Sequence, residues 1–365
     1  MIAGTIIAGF GLLAAATSSV ELPAPAPETV AVYKNWSVGC DNGLACEAVS
    51  LTPVVDSSKP SDYKGAVVLL RSADQNGSLT IHMLVNASDT DRYNMLIDGR
   101  IVDTGPVVQG QYPIEIIGED ALKVAKAMKS GREMTIIGAD ERLLAKISLA
   151  GSTAVLRYID TKQRRVGTRT ALVAKGKRKF RSAQVALPRI SVDRWEKSIR
   201  IPGTAEIVEL IEGSACDDKR IGVVEDEIFS LGQRGGKYRA LILVACGTGA
   251  YNLSSVPYIA EIGGDEANGA RWSFKPAIFD APPNWGGSGA SPLLVNAVWD
   301  ENAQILGSSA KGRGIGDCGD SEQFVWDGER FRLIEASSMK ECRGAYQWIT
   351  TWRADISPNP LTELP

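Results

Sequence analysis

The sequence predicts a disulfide-stapled protein of two parts: an α+β N-terminal domain at residues 31–174 and a mainly antiparallel all-β domain at residues 192–357. Three observations predict it. Strand and helix periods are mixed in the first half, the pattern turns almost wholly β-type after Val192, and six cysteines fall into three sequential pairs. A chain of 365 residues has room for two domains of ordinary size, each with its own core.

In the first half, GAVVLLRSADQNGSLTIHMLV (residues 65–85) sets two apolar β-type runs on either side of Asn76-Gly77, a strong short-range hairpin signal. MLIDGRIV places a second hairpin at Asp98-Gly99. The period then changes. EDALKVAKAMKSG spaces Leu122, Val124, Ala125 and Met128 as a helix, with Gly131 expected in the left-handed conformation that ends it. Two more strands, in REMTIIG and RLLAKISLA, lead to STAVLRYIDTKQRR. There Ser152 is expected to cap a short helix that buries Val155, Tyr158 and Ile159.

Residues 161–181 hold nine Lys or Arg and no acid. With Phe180 as the one aromatic among them, the run reads as a solvated helix end and a basic linker at residues 175–191, rather than a patch for nucleic acid or another polyanion. Pro188 punctuates ALPRISV, which places the domain boundary near residue 185. Beyond Val192 come ALILVACG, PYIAEIGG, RWSFKPAIF, LLVNAVWD, QILGSSAKG, EQFVWDG, RFRLIEAS and QWITTWRAD, short β-type runs separated by Gly, Asn, Asp or Pro. This spacing implies an antiparallel meander curled into a sandwich, barrel or blade-like sheet, with hairpin tips at Asp300-Glu301-Asn302 and Asp327-Gly328.

MIAGTIIAGFGLLAAATSS, residues 1–19, has the apolar run and small-residue end of a secretory signal peptide. The run from Ile2 to Ala16 is shorter than the roughly 20 residues that span a bilayer. No Lys or Arg precedes it, so either the terminal amine alone supplies the positive end or the sequence lacks some residues at its start. LPAPAPE makes residues 20–30 an extended mature N-terminus, and residues 358–365 form a tail. The expected location is the periplasm or outside the cell, with no membrane span after signal cleavage.

In such an oxidising compartment an even cysteine count favours disulfides. No pair has C-x-x-C spacing and the chain has one histidine, which argues against a zinc or redox site. Sequence neighbours close the smallest loops. That pairs Cys40 with Cys46, Cys216 with Cys246, and Cys318 with Cys342. In the chain-entropy model the short loop contributes on the order of 2 kcal/mol and each long loop ~3 to ~4 kcal/mol.

The stretch GRGIGDCGD, residues 312–320, raises the question of a phosphate loop. It lacks the Lys-Ser/Thr of a Walker loop, has no βαβ context for a dinucleotide fingerprint, and runs into a strand. Asp317, Asp320 and Glu322 do not follow the EF-hand pattern. A tight bend fastened by Cys318 explains the glycines better. The bond to Cys342 brings Arg313 and Asp317 towards Arg343, as a structural ion pair or an anion-recognition cleft; the ion pair is the simpler reading.

The net charge of −3 creates no field that draws in nucleic acid. A Ser-His or Cys-His device would have to use His82, which lies in LTIHMLV on the strand face opposite Ile81, Met83 and Val85, with no nucleophile elbow beside it. No cofactor, metal site or catalytic residue is assigned. Trp299, Trp326 and Trp352 sit near strand ends and are expected in the core. Trp285 differs: DAPPNWGGSGASP is a long Pro/Gly-rich loop, where a tryptophan either stacks on a sugar or partner or plugs the fold. Arg313, Asp317, Arg343 and Trp285 are therefore the candidate binding residues.

NWSVGCDNGLACEA near the start, GTGAYN in the middle, and KGRGIGDCGDSEQFVWDGERFRL followed by CRG resemble domain-of-unknown-function family 1176, exported proteobacterial proteins. The N-terminal half, through WSVGC and its nearby second cysteine, is more loosely similar to the invasion-associated locus B family. Both resemblances imply a Gram-negative envelope location, and neither supplies a reaction. Three functions are consistent with these features: a non-enzymatic envelope protein binding another envelope protein or a glycan, a carboxylate-dependent glycan hydrolase, and a virulence-associated host-contact factor.

Overall fold

The computed structural model of the chain describes residues 23–54, 62–87, 89–182, 184–214, 216, 225–263, 271–283, 292–345 and 347–358. The expected leader, Trp285 and the tail beyond residue 358 lie outside the described residues. The described chain is mostly β, with three α-helices.

β1 (Ala31–Tyr33), β2 (Trp36–Cys40), β3 (Cys46–Ser50), β4 (Ala66–Arg71) and β5 (Leu79–Leu84) run as an antiparallel meander, and β8 (Ile114–Ile117) pairs with the far side of β5. A second sheet has the order β10 (Leu143–Ser148), β9 (Glu133–Gly138), β6 (Arg92–Ile97), β7 (Arg100–Pro106). The β6–β7 hairpin turns at the Asp-Gly pair that the sequence marks, whereas β4 and β5 pair as a hairpin through a longer loop, residues 72–78, in which Gly77 but not Asn76 takes positive φ. Asp98 and Gly99 both take positive φ, as a two-residue primed turn demands.

Helix α1 (Gly118–Met128) packs on β5, β7 and β8 through Ala121, Val124, Ala125 and Met128. Leu122, expected on that face, is exposed. Gly131 does not end the helix in the left-handed conformation; its lack of a side chain instead lets it sit against Ile97 and Leu149. Helix α2 (Ser152–Lys162) buries Val155, Leu156 and Ile159, while Tyr158 is half-buried. Gly151 stands at its N-cap, and Ser152 donates its hydroxyl to Met128 O (2.9 Å) rather than capping.

The first sheet is covered on both faces. Trp36, Val38, Val67 and Leu69 point into the core shared with both helices and the second sheet, whereas Val49, Leu51 and Val68 pack on Met339, Ala345 and Ile349. Strand β2 consequently has no exposed residue, and a strand buried on both sides need not alternate apolar with polar residues.

β12 (Glu227–Arg234), β13 (Lys237–Thr248), β14 (Leu253–Gly263) and β15 (Ser273–Pro276) form a third sheet, which β16 (Leu294–Val295) joins at β14. β17 (Val298–Asp300), β18 (Ile305–Lys311), β19 (Gly319–Trp326), β20 (Phe331–Met339) and β21 (Ile349–Arg353) are a fourth, an antiparallel meander. Leu231, Leu241 and Leu243 of the third sheet share a core with Leu306, Phe324, Trp326 and Phe331 of the fourth, so the two sheets pack as a sandwich. Trp299 and Trp326 are buried there, and Trp352 packs on its margin.

The alternate residues of β13, Ala240, Ile242, Val244 and Cys246, point away from that core. Ile207 and the short helix α3 (Val208–Glu212) cover them, held by the Cys216–Cys246 disulfide. β11 (Arg189–Val192) and β22 (Asp355–Pro358) pair in parallel and bury Ile190 and Val192 on Val325 and Ile334 of the fourth sheet. The strands β1, β2, β3, β8, β11, β12 and β22 and the helix α3 were not foreseen in the sequence.

Candidate functional site

The bend joining β18 to β19 is fixed by backbone and sulfur together. Gly312 N donates to Cys318 O (2.8 Å), and Cys318 is bonded to Cys342 in the segment after β20. Gly319 has φ +148°, and a Cβ there would lie 2.0 Å from Ala310 O, so no other residue fits. Asp317 has no exposed side-chain surface. It accepts a hydrogen bond from Arg313 Nε at 2.7 Å, a second from Arg313 Nη2, and a third from Gly344 N at 2.7 Å. Arg313 holds the Asp317 carboxyl below the usual carboxylate range, and the Gly344 N–H acts in the same direction. Asp320 pairs with Lys340 at 2.7 Å.

Arg343 lies just past the disulfide but turns its guanidinium the other way. It donates to Thr52 O (2.9 Å), Lys34 O (2.8 Å) and Asn35 Oδ1 (2.6 Å), while Thr52 N donates to Arg343 O (2.7 Å). Trp348 Nε1 donates to Gly316 O at 3.1 Å. Arg313 and Asp317 are thus a bonded pair, Arg343 ties the C-terminal staple to the N-terminal sheet, and Trp285 lies outside the described residues. His82 contacts Glu115 Oε1 at 2.9 Å on neighbouring β8 and stacks on Tyr112, with ring centroids 4.4 Å apart. The other two disulfides join Cys40 to Cys46 and Cys216 to Cys246.

A different region has the shape of a binding site. A cavity of about 580 Å³ opens where residues 194–199 cross the β12–β13 hairpin and the turn at Glu301–Gln304. Small-molecule sites commonly occupy ~300–1,000 Å³. A β-bulge between Ser230 and Gly232 receives the crossing segment. Gly232 has φ +102°, and a Cβ on it would come within 2.6 Å of Glu196 O. Glu196 then pairs with Gln233 as one more rung of the sheet, with N···O distances of 2.9 and 2.8 Å. This geometry sets Trp195 and Tyr238, both half-buried, in the cavity wall.

Each ring is braced by an arginine. The Arg239 guanidinium lies 4.4 Å from the Trp195 centroid and is itself held by Glu261 at 2.6 Å, and Arg200 lies 4.7 Å from Tyr238. Arg194, Gln233, Asn302 and Gln304 supply polar groups around the rings. Gln304 sits at φ +54°, its carbonyl accepting from Trp326 N at 3.1 Å. Its Oε1 is buried with no hydrogen-bond partner among the described residues. Aromatic faces accept apolar C–H surface, and amides with a guanidinium can bond hydroxyl groups, so the lining suits a molecule that is apolar on one face and hydroxylated at its edges. Sequence reasoning missed this site because its aromatics come from distant segments.

A β-rich, disulfide-linked chain with a hydrogen-bonded bend and a polar-aromatic cavity is a stapled β protein. The model of the family described as "Protein of unknown function (DUF1176)" matches residues 30–355, and the chain belongs to that family. Uncharacterized protein YpfG of Escherichia coli (strain K12) is 25% identical over 341 residues, covering 88% of this chain and 91% of that protein. The invasion associated protein b of Bartonella henselae aligns over 37% of this chain and 99% of that one, at 13% identity and a TM-score of 0.27, too low to bear on the fold. The three disulfides fit an exported protein. No helix among the described residues is long and apolar enough to cross a membrane.

Proposed function

We propose that this chain is a non-enzymatic protein of the cell envelope that binds a glycan component of that envelope through its C-terminal β region, residues 192–357. The N-terminal α+β region, residues 31–174, serves as the second domain and platform. The observation that carries the reading is the Trp195–Tyr238 cavity, with its braced rings and the buried Gln304 Oε1, which has no hydrogen-bond partner among the described residues. An unsatisfied buried acceptor costs about 1–3 kcal/mol, so a ligand hydroxyl that reaches it gains affinity. The export reading of residues 1–19 and the three disulfides support the location.

Titrating the oxidised mature protein with soluble peptidoglycan fragments tests this. Saturable binding is expected, weakened about 10- to 100-fold by Trp195→Ala, the range of an aromatic anchor. Binding that survives Trp195→Ala unchanged, or no binding at all, removes the reading. Release of new reducing ends in the same titration would replace it with carboxylate-dependent hydrolysis.

A further inference from the structure

The basic run at residues 161–181 belongs neither to the cavity at Trp195 nor to the sulfur-bonded bend. In the structure it is wound against the end of the first sheet. Leu172, Val173 and Ala174 donate their backbone N–H groups to the buried Asp160 carboxylate at 2.8, 2.8 and 3.3 Å. Buried Arg165 donates to Gln163 Oε1 (2.8 Å), Thr170 Oγ1 (2.9 Å) and Asp74 O (2.5 Å), with its guanidinium 3.8 Å from the Phe180 centroid. Buried Arg71 reaches Thr170 O at 2.7 Å. The loop closes on itself through a parallel bridge between Thr168 and Arg178, with Gly167 N donating to Ala174 O at 2.7 Å.

Two buried arginines therefore act as pegs, and the loop holds its exposed cations in a fixed arrangement. Arg164, Arg178, Lys179 and Arg181, all exposed, line a hollow of about 560 Å³ together with Ser182. Among the described residues none of these four cations is in an ion pair, and residues 161–181 contain no acid. Ser182 Oγ accepts from Gln184 N at 3.1 Å, which leaves its proton to be donated. Like charges gathered round one concavity raise its potential, and a multiply charged anion relieves that. Guanidinium groups bond phosphate oxygens in a bidentate fork, and a phosphate brings more charge and more acceptor oxygens to several cations at once than a carboxylate does. Nucleic acid fits poorly: Phe180, the one aromatic of the run, is taken by Arg165, which leaves no stacking platform.

We infer that this hollow binds a phosphate-bearing anion of pyrophosphate size, carried either free in solution or on a lipid headgroup. The assignment is independent of the glycan reading. Calorimetry of the full chain with sodium pyrophosphate examines the free source, and co-sedimentation with vesicles containing cardiolipin, whose headgroup carries two phosphates, examines the lipid source. The variant R178Q/K179Q/R181Q is compared with K126Q/K129Q/R132Q, which removes equal charge from exposed positions at and beyond the end of α1. Binding in either arm, weakened at least about tenfold by the first variant and not by the second, supports the site and names its source. No binding in both arms, or equal weakening by the two variants, overturns it.

Discussion

The bend around Asp317 and the cavity beside Trp195 use the same kinds of side chain to opposite ends. In the bend, a fully buried carboxylate takes three hydrogen bonds, and the nearby tryptophan and arginine give theirs to backbone and side-chain oxygens of the fold. In the cavity, two half-buried rings are held in place by arginines, and a buried amide oxygen has no partner among the described residues. Saturated polar groups mark a joint; braced aromatics with unspent polar capacity mark a surface meant for something else. The lesson is that the more conspicuous string of residues is the structural one.

Substitutions should separate the two regions, and the largest effect belongs to the bend. Replacing Cys318 and Cys342 together by serine opens a loop of 24 residues and is expected to cost about 3 to 4 kcal/mol, read from denaturant unfolding under oxidising conditions. Glycan affinity should be unchanged at temperatures where that variant remains folded. A loss of affinity equal to that of Trp195→Ala would mean that the two regions are one site.

Asp317→Asn comes next. It leaves Arg313 and the Gly344 N–H facing a neutral group, and a loss of about 2 to 3 kcal/mol is expected. Its pH dependence has a definite sign. Folding lowers the Asp317 pKa from its ordinary 3.8, so the stabilisation is complete above that value and disappears as pH falls through the native one. The gap between wild type and Asp317→Asn should therefore close on acidification below about pH 4. A gap that stays constant from neutral pH into this acid range would show that the ionised pair contributes nothing.

Gln304→Met gives the smallest change in stability, within about 1 kcal/mol of wild type, since it removes a buried acceptor that has no hydrogen-bond partner among the described residues. Its glycan affinity should nevertheless fall. Undiminished affinity would take Gln304 out of the site and leave the rings alone to define it.

Much of the fold was legible because it rests on local chemistry. Asp98-Gly99 turns where a primed turn needs positive φ, Asn76-Gly77 falls within the loop that joins β4 to β5, and the three disulfides join nearest neighbours in sequence. Gly131 misled because glycine marks close packing as well as helix ends, and here Ile97 and Leu149 lie against it. Ser152 misled because Gly151 had already taken the cap. Arg343 was expected beside Asp317, yet the first sheet offered its carbonyls across a tertiary contact that no sequence spacing encodes. The cavity was illegible for the same reason: Trp195 and Tyr238 line one hollow because a bulge at Gly232 accepts the crossing segment. The Gly235-Gly236 pair at the tip of the β12–β13 hairpin was the one available signal for that ladder.

Hydrogen–deuterium exchange with and without saturating peptidoglycan fragments compares the two regions in one measurement. Slowed exchange at residues 194–199, 230–238 and 301–304, with residues 312–320 and 341–345 unchanged, is the predicted result. Protection confined to the bend, or spread over neither region, would contradict the division between a joint at Asp317 and a recognition site at Trp195.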